Sequence, residues 1–226
     1  MKRLFKLVSI LLAVVVLLLI AAGTYVKLAL PNVGTPPVIA IRATPAQIEH
    51  GRYLANHVAN CMDCHSTRDF SKRAGPVVAG TQGKGGEGFL REDGFPGNYY
   101  AHNLTPAHLG SWSDGEVYRA ITTGVSRDGH ALFPVMPYEK FATMDPEDIK
   151  DIIAYLRTLK PIENDVPASE SDFPMSFIIN TIPAKGEGGQ RPAPSDRIAY
   201  GRYIATFASL LRATHPSMNR DSPYRV

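Results

Sequence analysis

The chain has 226 residues, of which 44% are hydrophobic and 20% charged, and its formal net charge is +3. That length holds one domain of ordinary size with extensions, and so balanced a charge excludes an electrostatic nucleic-acid binder. With two cysteines in the whole chain, a Cys-only zinc site is impossible, and the remaining histidines are not paired at the spacing a mixed site needs.

Lys2, Arg3 and Lys6 precede an apolar run from Leu7 to Ala22, which continues past Gly23 and Thr24 to Leu30. A signal-peptide core is about 7–15 residues long, whereas a membrane-spanning helix needs about 20. Residues 1–30 therefore read as an N-terminal anchor, with Tyr25 and Lys27 where interfacial residues belong. Small residues at Ala22 and Gly23 leave a cleaved signal peptide as the alternative. The basic end stays inside, so the expectation is a single-pass protein of a bacterial inner membrane with the rest of the chain in the periplasm. Residues 31–44, with Pro31, Pro36 and Pro37, read as an extended linker that holds the domain off the membrane.

Three helices announce themselves by their caps. Thr44-Pro45-Ala46-Gln47 is a capping box with proline at the first helical position, and its helix should run to about Asn60 with Ile48, Gly51, Leu54 or Ala55, and Val58 inward. Ser113-Asp114-Gly115-Glu116 is a second box, flanked by Trp112 and Val117 as a hydrophobic staple, for a helix ending at Gly124. Asp145 caps a third, in which Ile149, Ile152, Ile153 and Leu156 recur at helical spacing until Pro161. The intervening stretches are rich in Gly and Pro and lack convincing strand alternation. The fold class is all-α: a small helical domain over 45–161 with long loops, preceded by one transmembrane helix. Such a domain has little core of its own, and a buried cofactor would supply the missing apolar mass.

Cys61-Met62-Asp63-Cys64-His65 is C-x-x-C-H. Two thiols one helical turn apart can each form a thioether to a porphyrin vinyl group, and the following imidazole can then ligate the iron. A thioredoxin-like pair would follow a strand rather than a helix. The motif thus predicts a covalent haem c held by Cys61, Cys64 and His65.

Together with that motif, the segments from Gly51 to His65, Asn103 to Pro106, Trp112 to Gly129, Leu132 to Tyr138 and Asp148 to Leu159 make the chain resemble class I c-type cytochromes, in particular membrane-bound, often multi-haem, cytochromes c that serve periplasmic dehydrogenases. The resemblance covers about Ile48 to Pro161. It implies a fold whose first and last helices cross, with Gly51 and Tyr53 meeting Tyr155 and Leu156.

For the sixth ligand, Met136 lies between Pro134 and Pro137 in an extended loop that offers one soft thioether, and the resemblance matches its Met-Pro-Tyr pattern. Met144 is explained by a staple to Ile149, although it, a histidine or an open position stands as an alternative. His57, His102, His108 and His130 read as solvated or supporting, Trp112 as a staple or a propionate partner, and Gly83 to Gly88 as a flexible loop without the strand and helix of a nucleotide site. The expected function is electron transfer by a single His/Met-ligated haem, from a dehydrogenase or quinol oxidase to a terminal acceptor, with no catalytic residues. A haem enzyme or ligand sensor with a labile distal site is the rival.

Residues 162–195 read as a linker. In the tail, 196–226, Gly201-Arg202-Tyr203-Ile204-Ala205 repeats Gly51-Arg52-Tyr53-Leu54-Ala55, and the same offset places Leu211, Thr214 and His215 opposite Cys61, Cys64 and His65. This reads as the truncated or degenerate start of a second cytochrome c repeat that lacks its thiols, leaving one haem per chain.

Overall fold

The computed structural model describes residues 1–207. It opens with α1 (Lys2–Ala29), a 28-residue helix long and apolar enough to cross a membrane, none of whose residues is buried in the protein. Its aliphatic run contains no proline and ends before Pro31.

The first cap forms as its sequence dictates. Thr44 Oγ1 accepts from the amide of Gln47, whose side chain in turn accepts from the Thr44 amide, and α2 runs from Pro45 to Tyr53. The helix does not stay α-helical to Asn60: Leu54–Val58 widens into a π turn. Then come the one-turn helix α3 (Cys61–Cys64), the short strands β1 (Gly88–Phe89) and β2 (Gly97–Tyr100), and the helices α4 (Pro106–Leu109), α5 (Asp114–Thr123), α6 (Tyr138–Phe141) and α7 (Pro146–Leu156). The capping box at Ser113 is present, and α5 stops at Gly124 in the left-handed region. Asp145 Oδ1 accepts from the Glu147 amide to start α7.

Helices α2 and α7 cross so closely that a Cβ on Gly51 would lie 1.8 Å from the Asp151 carbonyl oxygen. The crossing sits one turn earlier on α7 than the expected Tyr155 and Leu156, and Tyr53 stands outside it, 43% exposed beside His57. The reason is steric: only the backbone-to-backbone approach needs a missing side chain. Around the crossing Leu54, Val58, Met144, Ile149, Ile152 and Ile153 are buried, forming the main core with Leu109, Val117 and Phe141.

Both stretches read as linkers are packed. The Ile41 amide donates to Asp114 Oδ2 (2.9 Å), Val33 is buried, and the Pro37 carbonyl lies where a Cβ on Gly115 would be. Residues 162–195 contain β3 (Glu170–Ser171), α8 (Met175–Ile178) and a 3₁₀ turn, Ile179–Thr181. β3 completes a three-stranded antiparallel sheet, with Phe89 opposite Tyr99 and Gly97 opposite Ser171. These strands, two to four residues long, are too short for alternation to appear in the sequence. Arg91 ties β3 down by ion pairs to Glu170 and Asp172.

The last element among the described residues, α9 (Arg197–Phe207), buries Tyr203 and Phe207 in the main core. The Tyr203 hydroxyl donates to Asp148 Oδ2, and Arg191 pairs with Asp148 Oδ1. Burial pushes the Asp148 carboxyl above its ordinary range, opposed by Tyr203 and Arg191. Gly201, the counterpart of Gly51, has no neighbour within 4 Å of its Cβ position, and among the described residues no helix crosses α9 there. Leu211, Thr214 and His215 lie outside the described residues.

The two glycines of the repeat should therefore respond oppositely to one substitution. Gly51→Ala is expected to cost about 1–3 kcal/mol or more by forcing α2 from α7, whereas Gly201→Ala should be neutral or stabilise by about 0.5–1 kcal/mol through helix propensity, both read from urea denaturation midpoints.

Candidate haem-binding site

Asn60 adopts the left-handed conformation (φ 51°) between the π turn and α3, which asparagine tolerates better than most residues. The chain turns sharply there and presents Cys61 and Cys64 on one helical turn, closed by the His65 amide donating to the Cys61 carbonyl (3.0 Å). Both cysteines are free and half-buried. Burial pushes the Cys61 thiol up to about 12 and raises Cys64 as well. A nucleophilic thiol needs the opposite shift, and the pair follows a helix and a π turn rather than a strand.

His65 Nδ1 lies 2.6 Å from the carbonyl oxygen of His102. A carbonyl can only accept, so Nδ1 carries the proton and Nε2 keeps a free lone pair. Burial holds the His65 pKa below its ordinary value, which favours the neutral, ligating form. A hydrogen bond that fixes the tautomer and ring orientation of a histidine is the usual support for a metal ligand.

The segment that carries this carbonyl is held by the glycine loop, whose composition suggests only flexibility: the Gly86 amide donates to the Ala101 carbonyl (2.8 Å). The Gly85 amide donates to the His65 carbonyl (2.9 Å), the Leu104 amide to Gly83 (2.7 Å), and the Gly83 amide to Ser66 Oγ (3.1 Å). Gly83, Gly85 and Gly86 all have positive φ, and a Cβ on Gly85 would lie 2.6 Å from the backbone of Ala101, His102 and Asn103. Ser66, Asn103 and Thr105 are buried. Asn103 Oδ1 accepts from the Thr105 amide and hydroxyl, while its amide nitrogen donates to the Ile162 carbonyl. The glycines themselves are plain in the sequence; their partners, distant in the chain, are not.

Met136 is half-buried and packs against the main core. Met144 is 1% exposed, as the staple predicts, and Met62 is buried with its sulfur accepting from Ser66 Oγ at 3.6 Å. Met175 belongs to a second, aromatic cluster, and Met218 lies outside the described residues. His57, His108 and His130 are exposed; Trp112 packs on the core beside His108. The cluster of His50, Asp148 and Asp151 has the spacing of a cation site, but Arg191 already supplies its positive charge.

These residues fit a c-type haem: two thiols spaced for thioethers, an imidazole with Nε2 free, and a thioether sulfur elsewhere on the same core. Two residues beyond Met136, the Tyr138 hydroxyl is buried without a partner among the described residues, as is Arg119 Nε. Both are donors without an acceptor among the described residues, although the Arg119 guanidinium also donates to the Ser126 and Arg127 carbonyls.

A loop-rich helical domain with a C-x-x-C-H turn and this oriented histidine is that of a c-type cytochrome. The family model for cytochrome c matches residues 48–160, and the chain belongs to that family; membership brings a covalently bound haem c and electron transfer. Similar proteins include the fructose dehydrogenase cytochrome subunit of Gluconobacter japonicus (33% identical over 70% of this chain and 30% of that protein). A nicotinate dehydrogenase subunit of Pseudomonas putida is 32% identical over 63% of this chain and 11% of its own length. The gluconate 2-dehydrogenase cytochrome c subunit of Pantoea cypripedii is 29% identical over 60% and 29%. The chain thus spans about a third or less of these relatives.

Gly85→Ala should displace the His102 carbonyl and loosen His65. The expected cost is about 1–3 kcal/mol from the strained φ and the backbone clash, measured as a lowered denaturation midpoint.

Proposed function

We propose that this chain carries one haem c, attached through Cys61 and Cys64 and ligated by His65 and Met136, and that it relays electrons outside the bacterial cytoplasm as a membrane-anchored cytochrome. The observation that carries the reading is the His65 Nδ1 bond to the His102 carbonyl, which leaves Nε2 to the iron. The bound group supplies a one-electron couple, and His/Met ligation raises its potential into a range useful for a carrier. The polypeptide keeps the imidazole neutral and oriented, excludes water with the main core, and holds Met136 on the short stretch between Pro134 and α6.

The named relatives are cytochrome subunits or subunits of dehydrogenases, which supports a dehydrogenase as electron donor and a further carrier or oxidase as acceptor. A quinol-oxidising donor fits the same arrangement. The α1 helix, with Lys2, Arg3 and Lys6 on its N-terminal side, supports a single crossing of the inner membrane with the haem domain in the periplasm. We read 45–161 as the haem domain and 196–226 as the start of a repeat without attachment thiols.

Three experiments test this. Haem should stay with the unmodified polypeptide in denaturing gels at one per chain by pyridine haemochrome assay, and Cys61→Ser with Cys64→Ser should abolish it; two haems per chain would overturn the single site. Met136→Ala should remove the sulfur-to-iron absorption band of the oxidised protein and lower the potential, while Met144→Ala keeps the band. Rapid stoichiometric carbon monoxide binding to the reduced unmodified protein would favour the rival, an open distal site.

A further inference from the structure

The segment that follows β3 and runs one residue past the 3₁₀ turn, 172–182, is apolar on two sides at once. On the protein side, Ile179 and Met175 pack into the aromatic cluster of Phe89, Phe95, Tyr99 and Phe133. On the other side, Phe173 is 82% and Ile178 44% exposed. Phe173 packs edge-on against Phe177 (ring centroids 6.2 Å), and a contiguous exposed apolar patch marks an interaction surface.

Its position against α1 says which. Phe177 lies 3.8 Å from the Cβ position of Gly23, and Lys27 Nζ stands 5.0 Å from the centre of its ring. Residues 2–22 of α1 are exposed throughout; the first that the protein covers are Gly23, Val26 and Leu30, one face of the helix. A hydrocarbon layer of about 30 Å takes about 20 helical residues at 1.5 Å each. Counted from Leu7, just past Lys6, it ends near Val26. Phe177 therefore touches α1 across that level, one neighbour just inside it and the other just outside. An open groove of about 420 Å³ runs between them, lined by Ile20, Gly23, Thr24, Lys27, Leu28 and Phe177. Apolar walls with one ammonium at the mouth suit the upper acyl chain and phosphate of a phospholipid.

We propose that residues 172–182 form a second membrane contact, with Phe173, Phe177 and Ile178 seated in the headgroup and upper acyl region of the periplasmic leaflet beside the point where α1 leaves it. This rests on the reading of α1 as a retained membrane span. The segment is a wedge: fastened to the haem domain by Ile179, Met175 and the Arg91 ion pairs, and to the bilayer by its outer face. It holds the domain at one attitude to the membrane, which a single α1 connection would leave free to swing.

The test uses the full-length haem-loaded protein in phosphatidylcholine–phosphatidylglycerol nanodiscs, reduced so that the low-spin iron is diamagnetic. Single nitroxide labels are placed at Phe173→Cys and Ile178→Cys, with Leu18→Cys as the reference for the span; Phe173 and Ile178 are exposed enough that either label alone suffices if the other variant expresses poorly. Collision with oxygen relative to a water-soluble nickel chelate should be several-fold higher at 173 and 178 than at a label on the exposed Phe70→Cys, and below that at 18. Water-like values at 173 and 178 with a lipid-buried label at 18 overturn the contact and leave the anchor standing. A label at 18 that is water-exposed, or lost by cleavage, overturns the anchor and the contact with it. Shielding of 173 and 178 from oxygen and nickel alike would put protein there instead of lipid, and overturns the proposal too.

Discussion

The structure depends on one backbone contact, the crossing of α2 and α7 at Gly51, where the Asp151 carbonyl occupies the space of an absent side chain. It sets the direction in which α2 leaves the core. The π turn Leu54–Val58 follows directly, widening the helix while Leu54, Ala55 and Val58 stay buried, and the left-handed Asn60 then starts the turn that carries the two cysteines. The position of Cys61, Cys64 and His65 is thus inherited from helices whose contact lies ten residues upstream. The loops that finish the site are long because they carry no such burden: they are fastened by individual hydrogen bonds, at the His65, Ser66 and Asn103 backbone and side chains, rather than by helix packing.

What can be read from the sequence follows the range over which each signal acts. The caps at Thr44, Ser113 and Asp145 are interactions between residues two or three apart, and each forms as its pattern requires. The inward stripe of α7 is equally local, and Met144 is buried as its staple to Ile149 predicts. The packing of the two linkers escapes a local reading because their structure is borrowed: Ile41 is held by Asp114 and β3 by β2, partners about 70 residues away, and no local pattern announces them. The crossing falls a turn earlier on α7 than expected, because a glycine signals that a close approach occurs without saying which residue approaches. Gly83 to Gly88 illustrates the same gap. Its composition is that of a flexible loop, yet positive φ at Gly83, Gly85 and Gly86 lets the backbone lie against His65 and His102, which is a packing role that composition cannot express.

Electrostatics enters mainly at the rear of the core. Asp148 is a fully buried carboxylate at the start of α7, and a buried charge is tolerated only when it is paired and hydrogen-bonded. Its partners come from three places: His50 on α2, Arg191 beyond the haem domain, and Tyr203 on α9. The extension is therefore not an appendage to the domain. It completes the charge balance of a carboxylate inside it, and it adds Tyr203 and Phe207 to the apolar core.

The distance in sequence across the α2–α7 junction also bears on how the chain folds. His50 and Asp151 are 101 residues apart. The entropy of closing so large a loop grows only logarithmically with its length, so it weighs little on final stability, but contacts this remote slow folding. Locally capped helices form without help; their meeting is the slow event. Cys61 to His65 lies within that loop, close to its α2 end. A group bonded there at synthesis would give the collapsing chain an apolar surface on which the distant α7 can settle, turning a search between two chain ends into condensation around a fixed nucleus.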